Sequence, residues 1–442
     1  MKTLVYGLGE SGLAATRALL GRGKEVVVAD ACDDERLRRV LGELGVEGIL
    51  GAGKEVLDGV DRVVASPGVS PNDSVLRAAE ERGLPVVSEV GLGLELLGAE
   101  TRVAAITGTN GKTTVVDMLH RILDVAGVAH AVAGNSWRAL SGCTDEVRSA
   151  GLLALEVSSF QLHYLRGQGF NVAALLNVGA DHLNWHASFE EYARDKLRVF
   201  DGQGPQDLAL VNAADPVGRA AEGDLPSRVL VVGEGDTAVR DGVILLRGSR
   251  LADESELRFA GTHNLHNALF AAVVAEELGA AVEDIREGLV SYRLRPHRME
   301  VVAEKDGVTY VDDSKATNPA AVAAALSSLE RPVVLILGGS AKETDFAGIL
   351  PHLDRCRAII CQGEAGPGIF EYLEGEGWGD LSLLVADLEE AVARAGALGR
   401  AGDVVLLSPG CASFDRFASY AERGEAFARM VADLDGREAV TR

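Results

Sequence analysis

Thr107-Gly108-Thr109-Asn110-Gly111-Lys112-Thr113-Thr114 follows directly on the apolar run Arg102–Ile106. A strand that breaks into glycines and then into Lys-Thr is how a chain grips a nucleotide polyphosphate. The glycines let backbone N–H groups approach phosphate oxygens, Lys112 supplies a point charge, and the Thr113 hydroxyl suits Mg²⁺. Thr113–Leu123 has helical apolar spacing, so phosphate also meets a helix N-terminus. A standard P-loop has glycine five residues before Gly111, where this chain has Ile106. A plain strand–turn–helix connection is the competing reading of the loop taken alone.

The 442 residues are too many for one ordinary core, so several domains are expected. A hydrophobic fraction of 47% beside 25% charged residues is that of a soluble globular chain. The formal charge of −23 disfavours a nucleic-acid or anionic-membrane partner. Anionic substrates therefore need local cations, with Lys112, Arg298, Lys315 and Lys342 as candidates. Cys32, Cys143, Cys356, Cys361 and Cys411 form no CxxC pair, which indicates neither a disulfide framework nor a zinc site. Leu4–Tyr6 is too short for a signal-peptide core, and no apolar run approaches the ~18 residues that span a bilayer. A cytoplasmic protein without membrane insertion is expected.

Apolar strands alternate with helical patterns, which argues an α/β fold with mainly parallel sheets. A first cycle runs Thr3–Tyr6 (strand), Ser11–Leu20 (helix) and Glu25–Ala29 (strand). Further strands at Arg62–Ala65 and Pro85–Val87 follow, and the cycle ends near Gly91–Gly93. A second starts at Arg102, with strands at Gly151–Leu155, Val172–Asn177 and Leu208–Val211 and a helix at Leu265–Leu278. A third follows Arg295-Pro296, with strands at Val308–Val311, Val333–Leu337, Ala358–Ile360 and Val404–Leu407. Its helices are Ala320–Leu329 and Leu388–Ala397. The implied domains are 1–91, 92–295 and 296–442.

Gly7-Leu8-Gly9-Glu10-Ser11-Gly12 is a GxGxxG turn between strand and helix, and Asp30 ends the next strand. NAD, the diphosphate of another nucleotide, and a ligand-free turn all fit it. Ser66-Pro67-Gly68 ends another strand of the same segment. Glu156 follows the strand beside the phosphate loop, where a Mg²⁺ ligand is wanted, although a helix cap or surface acid competes. His182 comes from another strand end, and open α/β sheets bind ligands there. His263, Asn264 and Asn267 crowd a helix start, where capping explains only one of them. Arg298 lies at the second break, as a phosphate clamp or a hinge salt bridge. Asp312-Asp313-Ser314-Lys315-Ala316-Thr317-Asn318, Gly338–Lys342 and Ser408–Asp415 place functional groups on one edge of the third segment.

Together these stretches resemble the Mur ligases, the ATP-dependent amide-forming enzymes of peptidoglycan precursor synthesis. TGTNGKTT and the HNxxN pair are shared across that family. The DDSKATN and SPGCASFD stretches are similar to those of the branch that adds D-glutamate to UDP-N-acetylmuramoyl-L-alanine. The resemblance spans essentially the whole chain. It implies a Rossmann-like N-terminal domain for the UDP moiety, a central P-loop-type ATPase, and a Rossmann-like C-terminal domain for the amino acid. It assigns Gly108, Thr109, Asn110, Gly111, Lys112, Thr113, Thr114, Asn264, Asn267, Arg298 and Asp313 to ATP. Thr113, Glu156, His182 and a carbamylated Lys196 would serve Mg²⁺, two ions being expected. Gly9, Ser11, Gly12, Asp30, Ser66, Pro67, Gly68, Asn135, Ser158 and Gln161 would meet the UDP substrate. Lys315, Thr317, Lys342, Ser413 and Tyr420 would hold D-glutamate. Lys112, His182, Lys196, Arg298 and Lys315 would be the catalytic set, in a monomer acting on small molecules.

The chain departs from the family where Ala31-Cys32 follow Asp30 in place of Thr-Arg. It departs again at Gly134-Asn135-Ser136-Trp137, where Asn-Ile-Gly is usual. Three other readings remain at this stage: a related ligase adding another amino acid or extending folate, a nicotinamide dehydrogenase using Gly7–Gly12, and a non-catalytic nucleotide-binding module.

Overall fold

The computed structural model describes residues 1–436 except 99, 180, 183, 184 and 341–344. Two compact units form: Met1–Leu257 with Asn264–Tyr292, and Arg258–His263 with the chain from Arg293 onward.

The first unit holds two parallel sheets. One has the spatial order Gly48–Leu50, Glu25–Asp30, Lys2–Tyr6, Arg62–Ala65, Val86–Ser88. The chain leaves its central strand at Gly7, with later strands paired on both sides. That reversal is where open α/β sheets form a ligand crevice. The other sheet runs Arg228–Val232, Leu208–Asn212, Val172–Leu175, Arg102–Thr107, Leu152–Glu156, Ala131–Gly134. Its strands are near-continuous Val, Leu and Ala because helices cover both faces. Val103, Ala105, Leu153, Leu155, Ala173 and Leu175 bury one face in a single cluster. Each Val or Leu removed from water there contributes about 1.5–3 kcal/mol, enough to fix the loops at the strand ends.

The helices start where short polar side chains take up free N–H groups. Ser88, Ser158, Ser188 and Asp215 cap helices of this unit, and Asn318, Asp387 and Ser419 do so in the second. The expected break at Gly91–Gly93 is instead the interior of helix Glu89–Leu97. A Cβ at Gly93 would come within 2.6–2.9 Å of the Leu140 side chain, so this glycine admits the 3-10 turn Leu140–Gly142 rather than ending an element. Glu89 lies buried there and accepts a 2.6 Å hydrogen bond from Ser141 N.

Short strands escaped the sequence reading: Gly48–Leu50, Ala131–Gly134, Arg228–Val232, Glu300–Lys305 and Ser382–Leu384. So did an antiparallel sheet of Ala238–Arg240, Val243–Leu246 and Ser249–Asp253. Its turns are Asp241-Gly242 and Arg247-Gly248, both residues of each pair at positive φ, as type I′ hairpins require.

The second unit is a six-stranded sheet in the order Glu300–Lys305, Val308–Asp312, Val404–Leu407, Val333–Gly338, Cys356–Gln362, Ser382–Leu384. Only the first pair is antiparallel. The strands ending at Asp312, Leu407 and Gly338 are neighbours, so the strand ends from which the three polar stretches leave share one edge. Among the described residues no helix is long and apolar enough to cross a membrane.

Candidate active site

The phosphate loop joins strand Arg102–Thr107 to helix Lys112–Val125 through Gly111, whose φ of +87° suits only glycine comfortably. A Cβ there would also sit 2.5 Å from Asn267 Oδ1. Asn267 is thus packed against the loop, and its Nδ2 is buried without a hydrogen-bond partner. Asn264 lies one turn earlier on the same helix, Thr262–Glu277.

Glu156 ends the neighbouring strand and is fully buried. Thr113 Oγ1 (3.2 Å), Asn135 Nδ2 (3.0 Å) and Ser136 Oγ (3.0 Å) all donate to its Oε1. Its Oε2 is buried with no hydrogen-bond partner. A buried carboxylate with one oxygen unpaired and with threonine and serine hydroxyls gathered on the other is a donor set that fits a hard cation such as Mg²⁺.

On the other side of the loop, Lys196 is 1% exposed on helix Phe189–Leu197. Its Nζ donates to Gly108 O at 2.7 Å and lies 4.7 Å above the Tyr192 ring. Lys112 Nζ donates to the same carbonyl at 2.8 Å and to Thr109 O at 2.9 Å. Burial, reinforced by the Lys112 ammonium, pushes the Lys196 pKa well below the ordinary lysine value, against the pull of Asp181 and Asp215. A surface lysine paired with Asp195 is therefore not what the fold builds. Asp195 instead receives His163 Nδ1 at 2.7 Å, with His186 Nδ1 at 3.3 Å and Arg198 Nε at 3.0 Å. Burial opposes its ionisation, but the histidine hydrogen bonds outweigh burial and hold it below the usual aspartate value.

Asn177 ties its loop to the phosphate loop, its Oδ1 accepting from Asn110 N at 2.9 Å. His182, five residues on, has a left-handed backbone (φ +56°) and packs edge-on against Phe160 at 4.7 Å. Ser158 and Gln161 are buried and form the capping box of helix Ser159–His163.

At the first sheet, a Cβ on Gly12 would overlap the Gly7 carbonyl oxygen. Ser66 Oγ donates to that same oxygen at 2.6 Å, so the Ser66-Pro67-Gly68 turn and the GxGxxG turn meet. Asp30 takes Leu8 N on one oxygen and Cys32 N on the other, bracing the turn around Gly9 and Ser11.

In the second unit Asp313 is buried between Ser408 Oγ (2.8 Å) and Met299 N (3.3 Å). Burial raises its pKa to about 7, against the pull of Ser408, Met299 and Arg298. Lys315 Nζ sits 4.0 Å above the Tyr420 ring. Ser413 is buried, Thr317 is half-buried, and Lys342 lies outside the described residues. Arg423, which the sequence reading missed, is 1% exposed and donates to Ser314 Oγ and O, Cys411 O and Ala412 O at 2.9–3.1 Å. It locks the DDSKATN and SPGCASFD loops together. Its signal was an arginine four residues before buried Phe427, on the apolar stripe of helix Tyr420–Ala432.

Three family models match in order: a MurD-like Mur ligase N-terminal domain over residues 1–88, the Mur ligase middle domain over 106–275, and the Mur ligase glutamate ligase domain over 297–411. The chain belongs to the Mur ligase family. It is 70% identical to the UDP-N-acetylmuramoylalanine--D-glutamate ligase of Rubrobacter xylanophilus, over 99% of both chains. It is 37% identical to the ligase of that name from Syntrophus aciditrophicus, over 97% of both. The fold is also that of the Thermotoga maritima UDP-N-acetylmuramate-alanine ligase MurC, with a TM-score of 0.61 at 17% identity over 98% of this chain and 99% of that one. Mur ligases are ATP- and Mg²⁺-dependent amide ligases, and the sequence expectation of family, fold class and enzyme type holds.

Proposed function

We propose that this Mur ligase joins D-glutamate to UDP-N-acetylmuramoyl-L-alanine, with ATP going to ADP and phosphate, in the cytoplasm and as a monomer. The observation that carries the reading is the convergence of Thr113, Asn135 and Ser136 on Glu156 beside the helix N-terminus that follows Gly111. The 70% identity to a D-glutamate ligase supports the substrate pair.

A carboxylate does not accept an amine directly, because oxide is too poor a leaving group. The ATP γ-phosphoryl therefore goes to the L-alanyl carboxylate, giving an acyl phosphate. The D-glutamate amine attacks that carbonyl, phosphate leaves, and the amine proton goes to solvent. Bound Mg²⁺, in our reading two ions, would supply positive charge against the approaching anions. Thr113, Glu156, His182 and a carbamylated Lys196 are the residues we assign to it. A neutral, desolvated Lys196 amine can add CO₂ and release a proton, leaving an anion that suits a hard cation.

Lys112 and the N–H groups of Gly108–Thr114 hold phosphate oxygens, and Asn264, Asn267, Arg298 and Asp313 are assigned to ATP. Gly9, Ser11, Gly12, Asp30 and Ser66–Gly68 serve the UDP diphosphate. Asn135, Ser158 and Gln161 serve the muramyl end. Lys315, Thr317, Lys342, Ser413 and Tyr420 are assigned to D-glutamate, with Lys315 among the catalytic set. By these assignments 1–91 takes the UDP diphosphate, 92–295 takes the ATP phosphates and the muramyl end, and 296–442 takes D-glutamate and supplies Arg298 and Asp313 to ATP.

Mass spectrometry of the product is the test. The expected product is the substrate nucleotide plus one glutamyl residue, formed only when ATP, Mg²⁺ and D-glutamate are all present. Glutamylation of a folate in preference to the muramyl nucleotide would overturn the assignment.

A further inference from the structure

The first unit carries a cluster that ligation leaves unused. His120 and Asp124 are one turn apart on helix Lys112–Val125, so their side chains share a face. His130 immediately precedes strand Ala131–Gly134 and meets them there. His120 Nδ1 is 2.7 Å from His130 Nε2. The Asp124 carboxylate is 3.8 Å from His120 Nε2 and 3.9 Å from His130 Nε2. One ligating atom from each residue lies within 4.8 Å of the other two.

The hydrogen bonding of His130 sets its tautomer. Its Nδ1 is 2.7 Å from the Val128 carbonyl, which can only accept, so Nδ1 carries the proton and Nε2 keeps its lone pair. That lone pair accepts from His120 Nδ1 in the metal-free protein. A backbone carbonyl on one nitrogen and a lone pair on the other is how a metal-ligating histidine is held, and an ion would take the place of the His120 proton. The His130 side chain is 4% exposed, whereas His120 and Asp124 are 40% and 50% exposed. The cluster thus has one buried anchor and a solvent-open side. A tetrahedral ion with bonds of about 2.0–2.1 Å needs donors roughly 3.3 Å apart. The 2.7 Å approach is through His120 Nδ1 and the 3.8 Å approach through His120 Nε2, so whichever nitrogen ligates, small side-chain shifts bring the three donors to that spacing.

Among the described residues two other His–acid groups have comparable spacing, but their carboxylates are committed. Asp195 is paired with Arg198 and two histidines, and Glu300 accepts from His297 N. Asp124 has no lysine or arginine partner among the described residues.

We propose that His120, Asp124 and His130 bind a divalent ion of the zinc class at a site separate from Glu156. Two imidazoles and one carboxylate favour zinc, nickel or copper over magnesium, which seeks oxygen ligands. Three protein ligands leave a fourth position open. The site reports on the loop that reaches the catalytic carboxylate. The His120 ring is 5.9 Å from Trp137, edge-on, and Trp137 follows Ser136, whose hydroxyl donates to Glu156.

Zinc titration of the full-length enzyme by calorimetry, with magnesium in large excess to hold the oxygen-ligand site, tests the proposal. One equivalent is expected, weakened at least tenfold in His120→Gln and in Asp124→Asn, both half-exposed positions whose metal-free melting temperature should match wild type. Nickel should quench tryptophan emission in wild type but not in Trp137→Phe, which should still bind one zinc. Wild-type zinc affinity equal to that of His120→Gln, or stoichiometric displacement of zinc by magnesium, would overturn it.

Discussion

Lys112 Nζ and Lys196 Nζ both donate to the carbonyl oxygen of Gly108, at 2.8 and 2.7 Å. Two ammonium groups sharing one acceptor repel on the kcal/mol scale in a partly dry site. The buried member, Lys196, is the one whose charge the fold disfavours. An anionic adduct on Lys196 would turn that repulsion into attraction. Lys196→Ala should lose most activity, and acetate should restore part of it by filling the vacated anion position. Lys196→Arg should not respond, because its side chain keeps the charge and fills the space. Full activity in Lys196→Ala would refute the role.

Lys112 and the GxGxxG turn belong to different sheets. Lys112→Ala should abolish turnover, a loss of at least ~10²-fold for a group that stabilises transferring phosphoryl charge, yet leave affinity for the UDP substrate nearly intact. Calorimetry with each ligand separately checks this. Equal loss of both ligands would contradict the division of labour.

Gly12→Ala tests the first sheet. The added methyl would overlap the Gly7 carbonyl, which already accepts from Ser66. The expected outcome is a raised KM for the UDP substrate with the KM for ATP little changed. Wild-type KM for both would show that the turn does not hold the nucleotide.

Asp313 gives a pH signature. Its folded pKa, about 7, lies above the ordinary 3.8 because burial disfavours the charge. The folded state then binds more protons than the unfolded state between those values, so its contribution to stability falls as pH rises from about 4 to about 7. In Asp313→Asn that component should vanish. Melting temperatures from pH 4.5 to 8 for the two proteins, compared as a difference, measure it. Parallel curves would mean that Asp313 does not titrate as proposed.

Arg423→Met should take their arginine donor from the Ser314 and Cys411 carbonyls, while Ala412 O keeps Ser340 N, at a cost of about 1–3 kcal/mol for each group left unpaired. The melting temperature should fall, and the KM for D-glutamate should rise more than that for ATP. A lowered melting temperature with both KM values unchanged would leave Arg423 a structural clamp only.

What the sequence revealed followed physical regularity. The long buried strands were legible because both of their faces are apolar. The phosphate loop was legible because few folds need Gly-Lys-Thr-Thr after a strand. Three-residue strands such as Gly48–Leu50 carry too little pattern to read. The Asp241-Gly242 hairpin was a missed signal rather than an absent one. Gly91 and Gly93 misled because glycine also marks close helix contact, here with Leu140. Long-range partners such as Arg423 with Ser314, or Ser136 with Glu156, leave no trace in local spacing.

The most direct measurement is the initial rate of phosphate release with UDP-N-acetylmuramoyl-L-alanine, ATP and Mg²⁺ against a panel of D- and L-amino acids. The account predicts release that depends on D-glutamate, with L-glutamate and other amino acids far slower. Faster release with another amino acid, or release independent of any amino acid, would contradict it.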